Sequence, residues 1–439
     1  LKYASPAAAQ VDMNAPYGAW EDLMREKWTW DEVVHGSHGT NCQGGCAFNV
    51  YVKNGIVWRE EQQGEYGKSD DDVPDYGPRG CQKGLRHAKY MYGKQRILYP
   101  MKRVGERGAG QWERISWDQA LSEIADKFID TCSEHGAESI TMGLGTQMAM
   151  KRGSLMGLGR FATITGSPLP EAFAGVGDLP TGVYLTVGDP LLGDTAASIF
   201  KSKACFVWFA NPAVTRIPDA HFFWEARYNG TEVVAISPEF TPTAMHASKW
   251  VNPNPGTDAA LALGMAHIIV QEELQDEAWL AEYVIGWPAL RKRLQEYPPA
   301  RVAAITGLPE EDIFELARLY AEVQPGLIKI ADGLQRNLNG GQTTRAICAL
   351  PALTGQYGTL GGGLAYSASG ILSWNSAAVN HWDECPPPAR KVNMNRLGAA
   401  LLGEVDAPPV KSLFVFGSNP AAIAPNAGRV IAGLKREDL

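Results

Sequence analysis

Two textures of apolar and polar residues divide the chain. Near the start, residues 47–52 alternate and are rich in β-formers, Lys53-Asn54-Gly55 supplies a turn, and residues 56–60 return. This pattern predicts a β-hairpin. Residues 62–78 are polar and acidic and read as a loop. From Ser116 the period changes: Ser116 and Gln119 form a capping box, and Trp117, Leu121, Ile124 and Phe128 recur at helical spacing as far as His135-Gly136. A strand over 139–142 follows. Continuous apolar strands then alternate with helices: a strand over 205–209 (CFVWF), a loop at Asn211-Pro212, a helix ending at Asn229-Gly230 and a strand over 232–236. Segments 327–331, 342–353 and 413–416 continue the style, and 259–270 reads as a helix. Strands without polar alternation, joined by helices, predict parallel sheets covered on both faces. In such sheets ligands bind beyond the carboxyl ends of the strands.

A length of 439 residues exceeds one ordinary domain, and 45% hydrophobic against 20% charged residues supplies ample core. The net charge is −8, and no basic run is dense enough to suit nucleic acid or an anionic membrane surface. The longest apolar stretches fall short of a membrane span. Residues 4–10 (ASPAAAQ) fit the tail of a cleaved export leader and equally an ordinary N-terminus. At the other end, residues 435–439 follow a helix-like stretch with no closing element, as a truncated chain would. Cys132, Cys205 and Cys348 sit in apolar runs and are expected to be buried thiols; Cys385, before a triple proline, is expected in an exposed loop.

Chemistry concentrates first at His38, Cys42, Cys46 and Cys81, spaced H-x3-C-x3-C-x34-C. Thiolate-rich sets suit an iron–sulfur cluster or zinc. Zinc sites come as short Cys-x2-Cys knuckles, so this spacing fits a cubane cluster better. His35 is the rival to His38. Cys81 lies between Gly80 and Gly84, where backbone bends close to a ligand, and Lys83 follows as either a surface lysine or a cation fixed beside the cluster. Further on, turn formers follow the strands at Asn211-Pro212, Ser237-Pro238 and Gly417-Ser418-Asn419-Pro420. Pro255-Gly256-Thr257-Asp258 opens a helix whose N–H groups favour an anion. No GxGxxG or Walker loop is present, which weighs against ordinary NAD and ATP sites. Asp178, in GDLP, stands in a nearly uncharged Gly-rich stretch. Composition alone makes it a solvated turn residue or a ligand held against a cation.

The motif H-x3-C-x3-C-x34-C, with YVKNGIVWREEQ, PDYGPRGCQKG, ILYPMKRVGERG and GDLP, closely resembles the catalytic α-subunits of the dimethyl sulfoxide reductase superfamily. The His-first order and GDLP resemble the branch of nitrate, selenate, chlorate and perchlorate reductases, dimethyl sulfide dehydrogenase and ethylbenzene dehydrogenase. The resemblance implies an α/β fold: a small N-terminal iron–sulfur β-unit over 30–107, then two doubly wound parallel-sheet dinucleotide-binding domains. The first would comprise 108–154 plus 323–439 and the second 155–322, with the family's C-terminal barrel-like domain absent.

It further implies molybdenum on bis(molybdopterin guanine dinucleotide) and one 4Fe–4S cluster ligated by His38, Cys42, Cys46 and Cys81. Lys83 would lie between cluster and pterin, and Asp178 would ligate molybdenum. Asn211, Ser237, Pro238 and Asp258 fall on the loops for one dinucleotide, Gly417, Ser418 and Asn419 on the loop for the other, and Arg336 towards the substrate funnel. The implied activity is oxygen-atom transfer, reducing an oxyanion such as nitrate, selenate or chlorate in anaerobic respiration, or running in reverse as a dehydrogenase of a hydrocarbon or sulfide. A non-catalytic electron-transfer iron–sulfur subunit is the reading from another class. The implied partners are an iron–sulfur electron-transfer β-subunit and a haem-containing or membrane-anchor subunit, and the implied place is the periplasm or the cytoplasmic membrane's periphery.

Overall fold

In a computed structural model of the chain, the described residues are 27–37, 46–65, 70–77, 80–145, 152–171, 181–189, 192–367, 375–405 and 408–439. They fall into two units, the smaller formed by residues 1–38, 45–66 and 77–96 and the larger by the rest.

The smaller unit is built on a three-stranded antiparallel sheet of β1 (Glu32–Gly36), β2 (Phe48–Lys53) and β3 (Ile56–Gln62). Asn54 and Gly55 both take positive φ, 52° and 72°, in the tight turn that the sequence places there. A 3-10 turn at Gly84–Arg86 and a short helix at His87–Met91 dock back on β3, where the Ala88 N–H donates to Glu60 Oε1 at 2.7 Å.

The larger unit opens with a hairpin of β4 (Met101–Arg103) and β5 (Trp112–Arg114), then the Trp117–His135 helix. Ser116 caps that helix as expected, its Oγ accepting from the Gln119 N–H at 3.1 Å. Among the described residues nine further strands follow: β6 (Ile140–Leu144), β7 (Pro170–Glu171), β8 (Ala204–Trp208), β9 (Glu232–Ile236), β10 (Lys249–Val251), β11 (Gly326–Ile330), β12 (Gly363–Ala365), β13 (Val392–Asn393) and β14 (Ser412–Phe416). The main sheet runs β10-β9-β8-β11-β12, and every pair in it is parallel. Chain order reverses between β8 and β11, so the sheet is doubly wound with its switch point there.

The unbroken apolar character of CFVWF follows from this position. Phe206 and Trp208 face one core with Val234, Ile328, Leu261, Met265 and Ile269, whereas Cys205 and Val207 face another with Val233, Leu327, Phe222 and Phe223. Elsewhere β6 pairs in parallel with β14, and β7 with β13. Phe128, Phe161 and Phe414 cluster over the β6–β14 pair, with ring centroids 5.5–6.2 Å apart.

Three expectations are corrected. The boundary expected at residue 323 falls inside one sheet, because β11 and β12 pair with β8 and not with β14. An apolar strand pattern fixes a strand's burial but carries no mark of which sheet receives it. Residues 70–76, expected within the iron–sulfur unit, belong to the larger unit. There Val73 is buried, the Tyr76 ring lies 4.9 Å from that of Phe222, and Lys201 bridges Asp70 and Asp72 at 3.0 and 2.6 Å. Cys385 is half-buried, not exposed, with its thiol 3.6 Å from the Thr163 carbonyl. Cys205 and Cys348 are buried as expected, and burial pushes both thiols up to about 12, whereas Cys132, expected buried, is half-buried.

Candidate functional site

His38, Cys42 and Asp178 lie outside the described residues. For the remaining thiols, backbone pairing settles the arrangement. Cys46 stands two residues before β2, and the Gln63 N–H donates to the Ala47 carbonyl at 3.0 Å. Phe48 pairs with Gln62 across β2 and β3. The Gln62 side-chain carbonyl in turn accepts the Gly80 N–H, next to Cys81. Cys46 and Cys81 are thus brought to the same end of the hairpin. A Cβ at Gly80 would displace the Gln62 amide, the end of a flexible side chain, and with it the hydrogen bond beside Cys81. Neither thiol is in a disulfide. Lys83 is exposed, two residues past Cys81, at the start of the 3-10 turn. Sulfur donors converging at one end of a small sheet suit a soft metal cluster.

In the larger unit, the carboxyl edge of the main sheet gathers Asn211, Ser237, Pro238 and Asp258. After β8 the chain turns through Phe209, at φ 49°, into Asn211 and a four-residue helix, Pro212–Thr215. Asn211 Oδ1 accepts from Thr243 Oγ1 at 2.7 Å, and Thr243 Oγ1 accepts from the Ala213 N–H at 3.2 Å. After β9, the Ser237 N–H donates to the Val251 carbonyl at 3.1 Å and its hydroxyl to the Glu239 carbonyl at 2.8 Å. Pro238 is half-buried beside it. Asp258 is the first residue of the Asp258–Gln271 helix. It is 3% exposed, and its Oδ1 accepts from Trp208 Nε1 at 2.9 Å.

Burial pushes the Asp258 carboxyl up, and the Trp208 hydrogen bond pulls it back in part. A buried carboxylate therefore stands at the first residue of this helix. An acceptor buried at a sheet edge suits a ligand with N–H donors, such as a guanine base, better than a phosphate.

Gly417, Ser418 and Asn419 follow β14 and lead into another four-residue helix, Pro420–Ile423. Gly145, at the end of β6, comes so close to the Gly417 carbonyl that a Cβ there would collide with it. This close approach of backbone to backbone at the ends of paired parallel strands requires glycine at 145.

Arg336 is exposed, on the turn after β11, and Asp332 Oδ2 lies 4.0 Å from its guanidinium. Around it stand residues that sequence reasoning missed. Gln335 is buried, and its side-chain carbonyl accepts the Gly182 N–H at 2.9 Å. Lys329 is 4% exposed, and Nζ donates to the Tyr366 carbonyl at 2.5 Å. Burial, and next the Arg216 charge, hold the Lys329 pKa well below its ordinary value, against the pull of Asp219 and Asp332. The Tyr366 hydroxyl donates to Asp332 Oδ1. A lysine in the otherwise apolar GLIKI strand was the available signal for this buried polar group.

A family model described as molybdopterin oxidoreductase matches residues 96–439. The chain belongs to that family. It is 35% identical over 453 residues to the dimethylsulfide dehydrogenase subunit alpha of Rhodovulum sulfidophilum, covering 86% of this chain and 49% of that one. It is 36% identical over 458 residues to the perchlorate reductase subunit alpha of Dechloromonas aromatica, covering 82% and 49%. The respiratory nitrate reductase subunit alpha of Haloferax mediterranei is 46% identical over 269 residues, covering 61% and 27%. The chain spans about half the length of the first two of these curated relatives.

Among solved structures, the acetylene hydratase of Pelobacter acetylenicus superposes with a TM-score of 0.73 at 23% identity, covering 92% of this chain and 59% of that one, which shows a shared fold. The expected dimethyl sulfoxide reductase superfamily and its α/β fold class are thereby shown. Members of this family use molybdenum on a bis(molybdopterin guanine dinucleotide) and an iron–sulfur cluster. The described residues fit both groups: sulfur donors at one hairpin end, a buried acceptor at the sheet's carboxyl edge, and a turn of Gly417, Ser418 and Asn419 after β14.

Proposed function

We propose that the full-length protein is a molybdenum oxidoreductase that removes an oxygen atom from an oxyanion such as nitrate, selenate or chlorate. The observation that carries this reading is the exposed Arg336 guanidinium on the turn that leaves β11 at the switch point, where this fold places ligands. A fixed cation there attracts and orients an anion. The molybdenum centre, when bound, supplies two-electron oxygen-atom transfer. With two protons, nitrate leaves as nitrite and water.

Each residue set has a binding task. Cys46 and Cys81, with His38 and Cys42, hold the cluster that passes electrons. Lys83 supplies a positive charge beside it. Asp178 offers a hard oxygen ligand to the metal. Asn211, Ser237, Pro238 and Asp258 grip one dinucleotide, with Asp258 accepting from its base, and Gly417, Ser418 and Asn419 grip the other. Electrons arrive from a separate iron–sulfur subunit and a haem-containing or membrane-anchor subunit; the relatives' names as alpha subunits support a multi-subunit enzyme. Among the described residues no helix is long and apolar enough to cross a membrane, which agrees with a periplasmic or membrane-peripheral catalytic subunit.

The likeness to dimethylsulfide dehydrogenase over 86% of this chain favours one second reading, oxygen transfer in the reverse direction to a reduced substrate. Reduced-viologen oxidation by the purified full-length complex, tested with nitrate, selenate, chlorate and dimethyl sulfoxide, decides between them. Turnover of an oxyanion is expected. Turnover only in the oxidising direction, with dimethyl sulfide as donor and an oxidised dye as electron acceptor, establishes the second reading, and iron without molybdenum in the preparation rejects both.

A further inference from the structure

Trp208 ends β8 at the carboxyl edge of the main sheet and is fully buried. Its ring shares one core with Leu261 and Met265 of the Asp258–Gln271 helix. An indole in a close-packed core has no room to turn, so its N–H points in one direction. That direction is Asp258, whose Oδ1 accepts it at 2.9 Å. Asp258 is itself buried at the first position of the helix, where the free N–H groups favour a negative charge. Burial pushes the carboxyl up, and the Trp208 N–H, then the residue's own backbone N–H, pull it down. Among the described residues no charged side chain enters this balance. The indole is therefore the side-chain group that favours the ionised form here.

We propose that Trp208 is a positioning residue that keeps Asp258 an acceptor and thereby selects guanine over adenine at this dinucleotide loop. The inference rests on the reading of Asp258 as the group that meets the base. Guanine presents ring N–H and amino N–H donors side by side, which an ionised carboxylate accepts together. Adenine presents a ring-nitrogen acceptor beside its amino donor, so a carboxylate faces it acceptor to acceptor. A protonated carboxyl reverses the preference, because its O–H donates to the ring nitrogen while its carbonyl accepts from the amino group. One N–H on Oδ1 leaves that oxygen a second lone pair, so the indole orients the carboxylate without using it up. The ionisation of Asp258 is thus the selector, and Trp208 biases it.

The test uses the full-length complex purified without cofactor, with GDP and ADP titrated calorimetrically from acid to neutral pH. The guanine loop after β14 adds the same background to every variant, so differences between variants are read. Wild type is expected to prefer GDP, with affinity rising with pH as Asp258 ionises. Trp208→Phe removes the N–H and is expected to weaken GDP binding about tenfold near neutral pH, the scale of one hydrogen bond to a charged group. It is expected to leave ADP binding undiminished and to move the pH dependence of GDP binding upwards, because the ionised form has lost its donor. Asp258→Asn offers an acceptor and a donor without charge, as suits adenine, and is expected to reverse the preference and abolish the pH dependence.

Asp258→Asn also separates the two layers. If GDP does not bind wild type, or binds Asp258→Asn equally well, the reading of Asp258 fails and the inference with it. If Asp258→Asn loses GDP while Trp208→Phe keeps the wild-type affinity, base preference and pH midpoint, Asp258 keeps its task and the positioning role is overturned. Equal loss of GDP and ADP in Trp208→Phe, with the pH midpoint unmoved, overturns the inference in favour of packing alone. Where Trp208→Phe does not fold, benzothienylalanine at position 208 keeps the shape of the indole without its N–H and faces the same outcomes.

Discussion

Asn211 and Asn419 share one backbone conformation, φ −131° in both with ψ 68° and 79°. Each follows a parallel strand, and each is preceded at two residues' distance by a positive φ, 49° at Phe209 and 55° at Gly417. Each is followed by proline and a four-residue helix. The same strand-to-helix loop is thus built twice, after β8 and after β14, as expected if each holds an equivalent half of a two-part ligand. Asn211→Ala and Asn419→Ala should each lower the guanine nucleotide and molybdenum bound per full-length chain. Wild-type cofactor content in both variants would reject the pairing of these loops with the dinucleotides.

Asn211 is held by Thr243, whose hydroxyl both donates to it and accepts from the Ala213 N–H. Thr243→Val keeps the volume but leaves a half-buried N–H and a side-chain carbonyl without this partner. The expected cost is about 1–3 kcal/mol. Urea unfolding of the full-length protein measures it, and a loss below a few tenths would show that water replaces the hydroxyl.

Asp258 makes stability depend on pH. Its folded pKa is raised above the ordinary 3.8 by burial, so the native state binds the proton more tightly than the unfolded chain does. That contribution is fully present below pH 3.8 and is lost as pH rises through the folded value. Asp258→Asn can still accept from Trp208 Nε1 and has no charge to bury. In the cofactor-free protein its stability relative to wild type should therefore rise between acid and neutral pH. Its affinity for the guanine dinucleotide should fall. Parallel unfolding curves for the two proteins across that range would remove Asp258 as a buried titrating group.

Lys329 has the opposite sign. Its folded pKa is well below 10.5, so the unfolded chain binds the extra proton and wild-type stability rises with pH through the window between the two values. Lys329→Met should flatten the slope, read from urea midpoints between neutral and alkaline pH. A slope equal to wild type would place the amine in water.

At the cluster, Cys46→Ser or Cys81→Ser should strip iron from the chain, while Cys132→Ser, on the Trp117–His135 helix, should retain it. His38→Cys adds a negative charge among the ligands and should lower the cluster's reduction potential. A redox titration superimposable on that of the wild type would reject His38 as the ligand.

Much of this was legible in the chain itself. The period of the apolar residues gave the hairpin at Asn54-Gly55, the capped helix from Ser116 and the parallel strands, because burial on one face or two writes itself directly into the pattern. The cysteine spacing and GDLP carried the resemblance to the family. What the chain did not show was which strands share a sheet: β11 joins β8 across more than a hundred residues, and nothing in GLIKI says so. Nor did it show the partners of polar side chains. Trp208 under Asp258, Gln335 under Gly182 and Tyr366 on Asp332 are contacts between residues far apart in sequence. A hydrogen bond depends on distance and angle, and only the packed sheet and helices fix those. The sequence by itself determined the elements and the kind of chemistry; the tertiary structure decided which groups meet, and so which charges are buried, paired or offered to a ligand.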